Sequence, residues 1–316
     1  MIPSPPVIYK YNFRLEALED MNLPEYKGSM FRGAFGWAFR NAVCVTRQKT
    51  CENCMLQSHC SYFKVFETEI PENNLWFLKG VKKTPHPFVI HPPQNGKKYY
   101  KKGEMLTLGL TIFGEYVSLL PFFVFTIQQM GKAGISYKRS NYELIAGYNF
   151  NEAGDEKLIF KNSDGTVSTN SMPFFEKPEI SPNNNLGNIK LHFTTPLRIQ
   201  KDAKILKNPA DVSFEILVKN LYRRLQVVYS LFCNVNPDFN YESIPDISSK
   251  VNNLKFNDWQ RFSNRQNSKV NMGGFEGEIS FDNVPAEFIS LFHYASKLNI
   301  GKNTVFGLGQ YEVNIS

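Results

Sequence analysis

The same order of secondary-structure elements recurs twice along the chain, and this repeat limits the fold more than any other feature. In the first half, apolar periodicity predicts strand, helix, strand, strand, helix and strand at residues 7–15, 29–45, 87–90, 105–113, 119–132 and 135–150. In the second half it predicts strand, helix, strand, helix and strand at residues 189–199, 214–233, 274–281, 285–298 and 305–313, and residues 256–262 are left unassigned. Two such units in tandem predict an α+β chain of two ferredoxin-like (RRM-like) domains.

The length of 316 residues suits two domains, and composition places the boundary between them. We expect an N-terminal ferredoxin-like domain over residues 1–150, with a cysteine-rich insertion at 44–60. Residues 151–187 are rich in Asn, Ser, Gly and Pro, which predicts a hairpin excursion, with an arm at 157–160, followed by a linker. A C-terminal ferredoxin-like domain then covers residues 188–316 and contains a glycine-rich loop at 301–309.

The charge distribution favours a polyanionic partner. The formal net charge is +7, and two long windows contain no acidic residue at all, residues 26–51 and 73–103. Their basic residues include Lys27, Arg32, Arg40, Arg47, Lys49, Lys82, Lys83, Lys97, Lys98, Lys101 and Lys102. Such windows indicate surfaces kept clear for phosphate, although solvated basic loops would have the same composition. The ferredoxin-like sheet also serves the RNA-recognition motif, so fold and charge are both compatible with RNA.

The C-terminal run Gly-Lys-Asn-Thr-Val-Phe-Gly-Leu-Gly at residues 301–309 is the sharpest local signal. Gly301, Gly307 and Gly309 have no Cβ, so the backbone amides around Lys302 are predicted to approach a phosphate. A tight glycine turn with a bulge is the alternative interpretation. The spacing is not that of a nucleotide-binding P-loop.

Cys44, Cys51, Cys54 and Cys60 follow the pattern C-x6-C-x2-C-x5-C, which is typical of a tetrahedral four-thiolate zinc site. An iron–sulfur cluster would use the same four ligands, reduced free thiols are the third interpretation, and the adjacent His59 is an alternative ligand. The first residues lack a secretion-signal pattern, and no apolar run reaches the roughly 20 residues of a membrane span. We therefore expect a cytoplasmic protein with reduced thiols and no membrane partner.

The sequence contains no recognisable motif for hydrolysis by a metal or by a serine nucleophile. None of the five histidines forms an H-E-x-x-H pattern, no G-x-S-x-G elbow occurs, and no paired-carboxylate site is apparent. Any nuclease chemistry is therefore expected to need no catalytic cofactor. A general base would take the proton of an RNA 2′-hydroxyl, whose oxygen attacks the adjacent phosphate.

Several segments, in their order along the chain, resemble the CRISPR precursor-RNA-processing endoribonucleases of the RAMP superfamily. They are Tyr-Lys-Gly-Ser-Met-Phe-Arg-Gly-Ala-Phe-Gly at 26–36, the cysteines at 51–60 followed by Tyr62 and Phe66-Glu67, Pro-Phe-Val-Ile-His-Pro-Pro at 87–93, Gly103-Glu104, Leu120-Pro121, Phe-Thr-Thr-Pro-Leu-Arg at 193–198, Gly-Gly-Phe-Glu-Gly-Glu at 273–278 and the loop at 301–309. The resemblance implies tandem ferredoxin-like domains, a glycine-rich loop that touches RNA, and cleavage within CRISPR repeats. The implied partners are CRISPR repeat RNA and subunits of CRISPR effector complexes.

The chain departs from the family pattern at two positions where many members have histidine, because it has Trp37 in the first helix and Asn299 before the glycine loop. Tyr26, Lys27 and Lys302 are therefore the expected catalytic residues, acting by holding the phosphate and aligning the 2′-hydroxyl. The expected RNA contacts are Arg32, Arg40, Lys97, Lys98, Arg198, Gly301, Lys302, Gly307 and Gly309. The alternatives are a non-catalytic RAMP subunit that scaffolds guide RNA, and a duplicated RNA-binding module unrelated to CRISPR.

Overall fold

The computed structural model describes residues 6–68, 70, 76–78, 84–94, 96–174, 186–202, 204–251, 253–263 and 268–315. The chain divides into two compact units, an N-terminal unit over Val7–Glu176 and a C-terminal unit that contains Lys177–Ser316. Lys82 and Lys83 of the second acid-free window, and residues 175–185 of the expected linker, lie outside the described residues.

The N-terminal unit is a five-stranded antiparallel sheet with two helices. Its elements are β1 (Ile8–Ala17), α1 (Gly28–Val43), β2 (Phe88–His91), β3 (Met105–Phe113), α2 (Leu120–Ala133), β4 (Tyr142–Phe150) and β5 (Glu156–Lys161). The strand order is β2-β3-β1-β4-β5, with Tyr11 opposite Leu110 on one side of β1 and Asn149 on the other. A short pair, Met21–Asn22 with Tyr99–Tyr100, lies apart from this sheet. The first four strands have the ferredoxin-like order, and β5 extends it at the β4 edge.

Aromatic side chains form the interior where α1 and α2 pack together. α1 buries Phe31, Phe35, Ala38 and Phe39, which fall on one face of a helix. The ring of Phe35 lies 5.3 Å from that of Phe88 on β2 and 5.5 Å from that of Phe123 on α2. This apolar stripe leaves Trp37 on the opposite face, where it is 55% exposed.

The C-terminal unit repeats the arrangement with an added hairpin. Its elements are β6 (Leu186–Leu197), α3 (Phe214–Phe232), β7 (Ser249–Val251), β8 (Lys255–Asn257), β9 (Gln260–Ser263), β10 (Ser268–Asn271), β11 (Gly274–Pro285), α4 (Ala286–Ala295) and β12 (Tyr311–Ile315). The sheet has the order β7-β11-β6-β12, β8 also pairs with β11, and β9 and β10 pair with each other. Ser213 caps α3 by accepting a hydrogen bond from the amide of Ile216 at 3.3 Å. The predicted tandem ferredoxin-like fold is confirmed in both units.

The structure differs from the sequence prediction in three places, at two predicted strands and at one unassigned segment. The strand predicted over 135–150 begins only at Tyr142, because Gly134, Ser136 and Arg139 all have positive φ and form a tight loop first. The last strand begins at Tyr311 rather than 305, because Thr304–Phe306 is a 3₁₀ turn. The unassigned residues 256–262 contribute to β8 and β9, two strands too short to show periodicity.

α3 is the longest helix of the described residues, with 19 residues, and it carries several charges. Within the part of the chain that the structure describes, no helix combines the length and apolar character needed to cross a membrane.

Candidate functional site

The glycine-rich loop connects α4 to β12 in the C-terminal unit and is held in a left-handed backbone conformation along much of its length. Positive φ angles occur at Asn299, Gly301, Asn303, Gly307 and Gly309. The loop is tied to the end of β6, because the amide of Lys302 donates to the carbonyl of Arg198 at 2.7 Å. The side chain of Lys302 is therefore presented beside the C-terminal end of β6.

Two of the glycines are required by packing. A Cβ on Gly309 would lie 1.8 Å from the carbonyl oxygen of Ile300, and one on Gly301 would lie 2.5 Å from that of Arg198. The amides of Gly307 and Gly309 donate to the carbonyls of Thr304 and Pro196, at 2.8 and 3.0 Å. These two amides are engaged within the protein, so the structure corrects the expectation that they face a phosphate. The alternative interpretation, a tight glycine turn, fits these two amides. The group that the loop presents for a phosphate is the side chain of Lys302.

Arg198, Arg223 and Lys302 form a cationic cluster beside this loop. Partial burial is the main cause of the lowered pKa of Lys302, and the charges of Arg223 and Arg198 lower it further. Arg198 donates to the carbonyl of Gly273 at 2.8 Å, and burial lowers its pKa while the charge of Asp258 opposes the shift. Among the described residues, no carboxylate lies within 4.0 Å of Lys302 or Arg223. Like charges held together in this way favour an anionic ligand.

The β9–β10 hairpin packs on the same loop and adds a further cation. The guanidinium of Arg261 lies 4.9 Å from the ring centroid of Phe306, and burial lowers its pKa. Asn303 of the loop donates to the sulfur of Met272 at 3.4 Å. The acid nearby, Asp258, pairs with Lys207 at 3.0 Å, and Lys207 is not part of the cluster.

The sequence interpretation missed Arg223 and Arg261. Arg223 precedes a second arginine on α3, and the two have opposite environments: Arg223 is exposed, whereas Arg224 is buried and donates twice to the carbonyl of Leu298, at 3.2 and 3.0 Å. Burial lowers the pKa of Arg224 to about 10. The apolar stripe of α3, which includes Leu221 and Leu225, could have shown from the sequence which of the two arginines is buried. Nothing in the sequence of the short strand β9 distinguishes Arg261.

Two residues at expected catalytic positions are in the protein interior. Lys27 is 1% exposed, its ammonium donates to the carbonyl of Glu25 at 3.4 Å, and burial lowers its pKa. Asn299 is also buried, and its side-chain amide donates to the carbonyl of Leu308 at 3.0 Å. Neither side chain can touch RNA in this conformation. Tyr26 of the N-terminal unit is half-buried, and Lys302 of the C-terminal unit is exposed.

The second acid-free window, residues 73–103, contains no acidic residue, but acidic side chains from other parts of the chain lie next to it. Lys97 pairs with Glu104 at 2.8 Å, and Lys98 pairs with Glu25 at 2.9 Å. Asp20 accepts hydrogen bonds from the Tyr99 hydroxyl at 2.6 Å and from the Lys102 amide at 3.0 Å. Residues from outside the window therefore neutralise part of the charge that was expected to face phosphate.

The basic residues of α1 have partners within the protein. Arg32 donates from Nη2 to Nε2 of His86 at 2.6 Å, and its guanidinium lies 4.7 Å from the ring centroid of Phe66. Arg40 donates to the carbonyls of Gln48 and Lys49, which places it at the start of the cysteine-rich segment. Both predicted RNA contacts therefore have structural partners.

The exposed face of the C-terminal sheet carries carboxylates close to a lysine and a histidine. Lys190 on β6 lies 3.6 Å from Glu278 on β11, and His192 on β6 lies 4.0 Å from Glu312 on β12. These carboxylates make the sheet face a poor surface for phosphate compared with the cationic cluster.

The four cysteines of the insertion line one cavity of about 320 Å³, and His59 is also among the lining residues. Across the described residues, no three side chains of His, Cys, Asp or Glu stand ready to hold a metal ion. The zinc site therefore stays a prediction.

Each of the two units matches a protein-family model. A family model named AF_1859_N, described as an N-terminal domain, matches residues 5–172, and the model for the CRISPR-associated endoribonuclease Cas6 matches residues 191–311. A protein of Archaeoglobus fulgidus, described as uncharacterized, is 24% identical over 298 residues, which are 92% of this chain and 93% of that protein.

Solved structures of low sequence identity share the fold. A chain of a partial Cas6-RT-Cas1–Cas2 complex is 13% identical with a TM-score of 0.57; the match covers 100% of this chain but only 47% of that one, so this chain spans about half its length. A Cas6 product complex is 14% identical with a TM-score of 0.55, over 98% of this chain and 99% of that one. Thermus thermophilus Cas6 is 14% identical with a TM-score of 0.50, over 99% and 100%. The resemblance found in the sequence is confirmed for residues 191–311, which match the Cas6 endoribonuclease model, and the solved structures show that the fold is shared. The AF_1859_N model matches more than half of the chain, so the chain belongs to that family.

Proposed function

We propose that the protein binds CRISPR repeat RNA at the cationic cluster of Arg198, Arg223 and Lys302 and cleaves it slowly without a catalytic metal ion. The observation that carries the proposal is the grouping of three cations around a rigid loop with no carboxylate within 4.0 Å of Lys302 or Arg223 among the described residues. Partial burial is the main cause of the lowered pKa of Lys302, and repulsion from Arg223 and Arg198 lowers it further; a phosphate bound between the three cations would relieve that repulsion. The match of residues 191–311 to the Cas6 endoribonuclease model supports CRISPR repeat RNA as the ligand.

The proposed reaction uses the RNA as its own nucleophile. A base removes the proton of the 2′-hydroxyl, the 2′ oxygen bonds to the adjacent phosphorus, and the bond from phosphorus to the 5′ oxygen breaks as that oxygen takes up a proton. The products are a 2′,3′-cyclic phosphate and a 5′ hydroxyl. We assign to Lys302 the role of holding the phosphate oxygens as negative charge develops on them. Lys27 is too deeply buried to hold the phosphate or to transfer the proton.

A slow reaction is proposed because neither departure from the family pattern supplies a proton-transfer group. Trp37 is exposed on α1 but has no group that titrates near neutral pH, and Asn299 is buried and hydrogen-bonded to its own loop. A positioned general acid or base contributes about 10²–10⁴-fold to the rate.

The same two residues favour a second candidate, a non-catalytic RAMP subunit that scaffolds guide RNA. Such a subunit needs the cationic cluster but no imidazole. One structural neighbour is part of a Cas6-RT-Cas1–Cas2 complex, so we include CRISPR proteins among the proposed partners.

Cleavage of labelled repeat RNA in EDTA separates the two candidates. The enzyme should cut in EDTA, and a 2′-deoxy nucleotide before the cut should abolish cleavage because the nucleophile is gone. Trp37→His should accelerate the cut, whereas Tyr137→His, at another exposed aromatic position of the same unit, should not. Tight binding with no cleavage in any buffer would instead establish the scaffold.

A further inference from the structure

We propose that Cys44, Cys51, Cys54 and Cys60 bind one structural zinc ion, which closes the segment between α1 and the helical turn at Phe63–Glu67. This inference is independent of the proposed function. It rests on which residues of the segment point inward.

The segment at residues 44–60, all of it described, has no hydrophobic core of its own. None of its 17 residues is buried, and Val45 and Met55 are 81% and 86% exposed. The half-buried residues are Cys44, Thr46, Cys51, Cys54, Gln57 and Cys60. The four cysteines are therefore four of the six side chains that turn inward, and all four line the same cavity. A segment with no apolar core needs another source of cohesion, which a structural metal ion provides.

The backbone presents the cysteines from fixed points around the cavity. Cys44 ends α1, where its amide donates to the carbonyl of Arg40 at 2.8 Å. Cys51 and Cys54 are joined by a tight turn, in which the amide of Cys54 donates to the carbonyl of Cys51 at 3.3 Å and Asn53 has a φ of 57°. The carbonyl of Cys60 accepts from the amide of Lys64 at 3.0 Å, at the start of the next helical turn. Two cysteines separated by a two-residue turn are typical of one half of a tetrahedral zinc site.

Hydrogen-bond donors and a cation lie beside two of the sulfur atoms. The hydroxyl of Thr46 lies 3.6 Å from the Cys54 sulfur, which also accepts a hydrogen bond from the amide of Leu56. Arg40 is close enough to interact electrostatically with Cys51. A zinc ion with four thiolates carries a net charge of −2, so a neighbouring guanidinium and outer hydrogen-bond donors stabilise it.

Binding must draw the segment inward, because among the described residues no three potential ligands stand ready to hold a metal ion. Zinc binding and folding of the segment are then coupled, as is usual where the metal ligands lie on a segment that has no hydrophobic core. His59 is exposed and accepts or donates a hydrogen bond with Ser58 at 2.9 Å, so Cys60 is assigned as the fourth ligand.

Elemental analysis of full-length protein purified without chelator tests the proposal. We expect about one zinc per chain, as one four-thiolate site requires. A mercurial added to the native wild-type protein should release that zinc, a result that needs no variant to fold. Cys51→Ser and Cys54→Ser should each lower the zinc content, whereas Cys233→Ser, at the end of α3, and His59→Ala should retain it.

Three results would overturn the zinc site. They are the absence of metal with all four thiols alkylated in the native state, iron with visible absorbance in place of zinc, and disulfides among these cysteines in protein kept under reducing conditions. Full zinc content in Cys51→Ser or Cys54→Ser would do the same.

Discussion

Removing charges from the cationic cluster should flatten the salt dependence of RNA binding. Each phosphate contact to a single-stranded nucleic acid contributes about 0.7 to the slope of log affinity against log salt. Lys302→Ala and Arg223→Ala should therefore each reduce the slope by about 0.7, and the double variant by about 1.4. Because this contribution vanishes near 1 M salt, each lost contact should weaken binding about fivefold at about 0.1 M salt, and two about 25-fold.

The assay is fluorescence anisotropy of labelled repeat RNA at a series of salt concentrations. Lys219→Ala is the matched control, because Lys219 lies one turn before Arg223 on α3 but pairs with Glu215 at 2.5 Å. A combined Lys97→Ala and Lys98→Ala variant should change the slope less than the cluster double variant, because Glu104 and Glu25 already pair with these lysines. Unchanged slopes in the cluster variants, or an equal loss in Lys219→Ala, would refute the placement of the RNA.

Two further predictions concern stability in urea unfolding. Burial is the main cause of the lowered pKa of Lys27, so the unfolded chain binds that proton more tightly than the folded chain does. The stability of the wild type relative to Lys27→Met should therefore rise with pH between the lowered pKa of the folded state and the ordinary pKa of 10.5. A difference in stability that does not change with pH would contradict this. Gly309→Ala should destabilise by about 1–3 kcal/mol more than Gly103→Ala, since both glycines have positive φ but only Gly309 has a carbonyl in the place of a Cβ. Equal losses in the two would show that φ alone matters.

The glycine-rich loop shows how tertiary contacts change the interpretation of a sequence motif. Its glycines were read as openings for phosphate, but Gly309 and Gly301 are needed because carbonyls of Ile300 and Arg198 occupy the Cβ positions. The sequence shows only that glycine lacks a Cβ, and not which atom occupies the space. At Gly309 the space is filled by Ile300 of the same loop, whereas at Gly301 it is filled by Arg198, which follows β6 more than a hundred residues earlier in the chain.

The basic windows show the same limit for charge. A window without acids is a property of neighbours in sequence, whereas phosphate responds to neighbours in space. Glu25, Glu104 and Asp20 lie outside or at the edge of the 73–103 window and are brought against it by folding. Conversely, Arg198, Arg223 and Lys302 are dispersed along the chain, and the geometry of α3, β6 and the loop assembles them.

By itself the sequence determined the order of elements, the tandem ferredoxin-like fold and the family resemblance. These depend on hydrophobic periodicity and glycine placement, which act over a few residues and so can be read along the chain. The tertiary structure alone decided that Lys27 and Asn299 are buried and that Arg223 rather than Arg224 faces solvent. It also decided that, among the described residues, no carboxylate lies within 4.0 Å of Lys302 or Arg223. Burial and electrostatic pairing arise from contacts between distant segments, so only the folded chain reveals which basic residues remain available to an anionic partner.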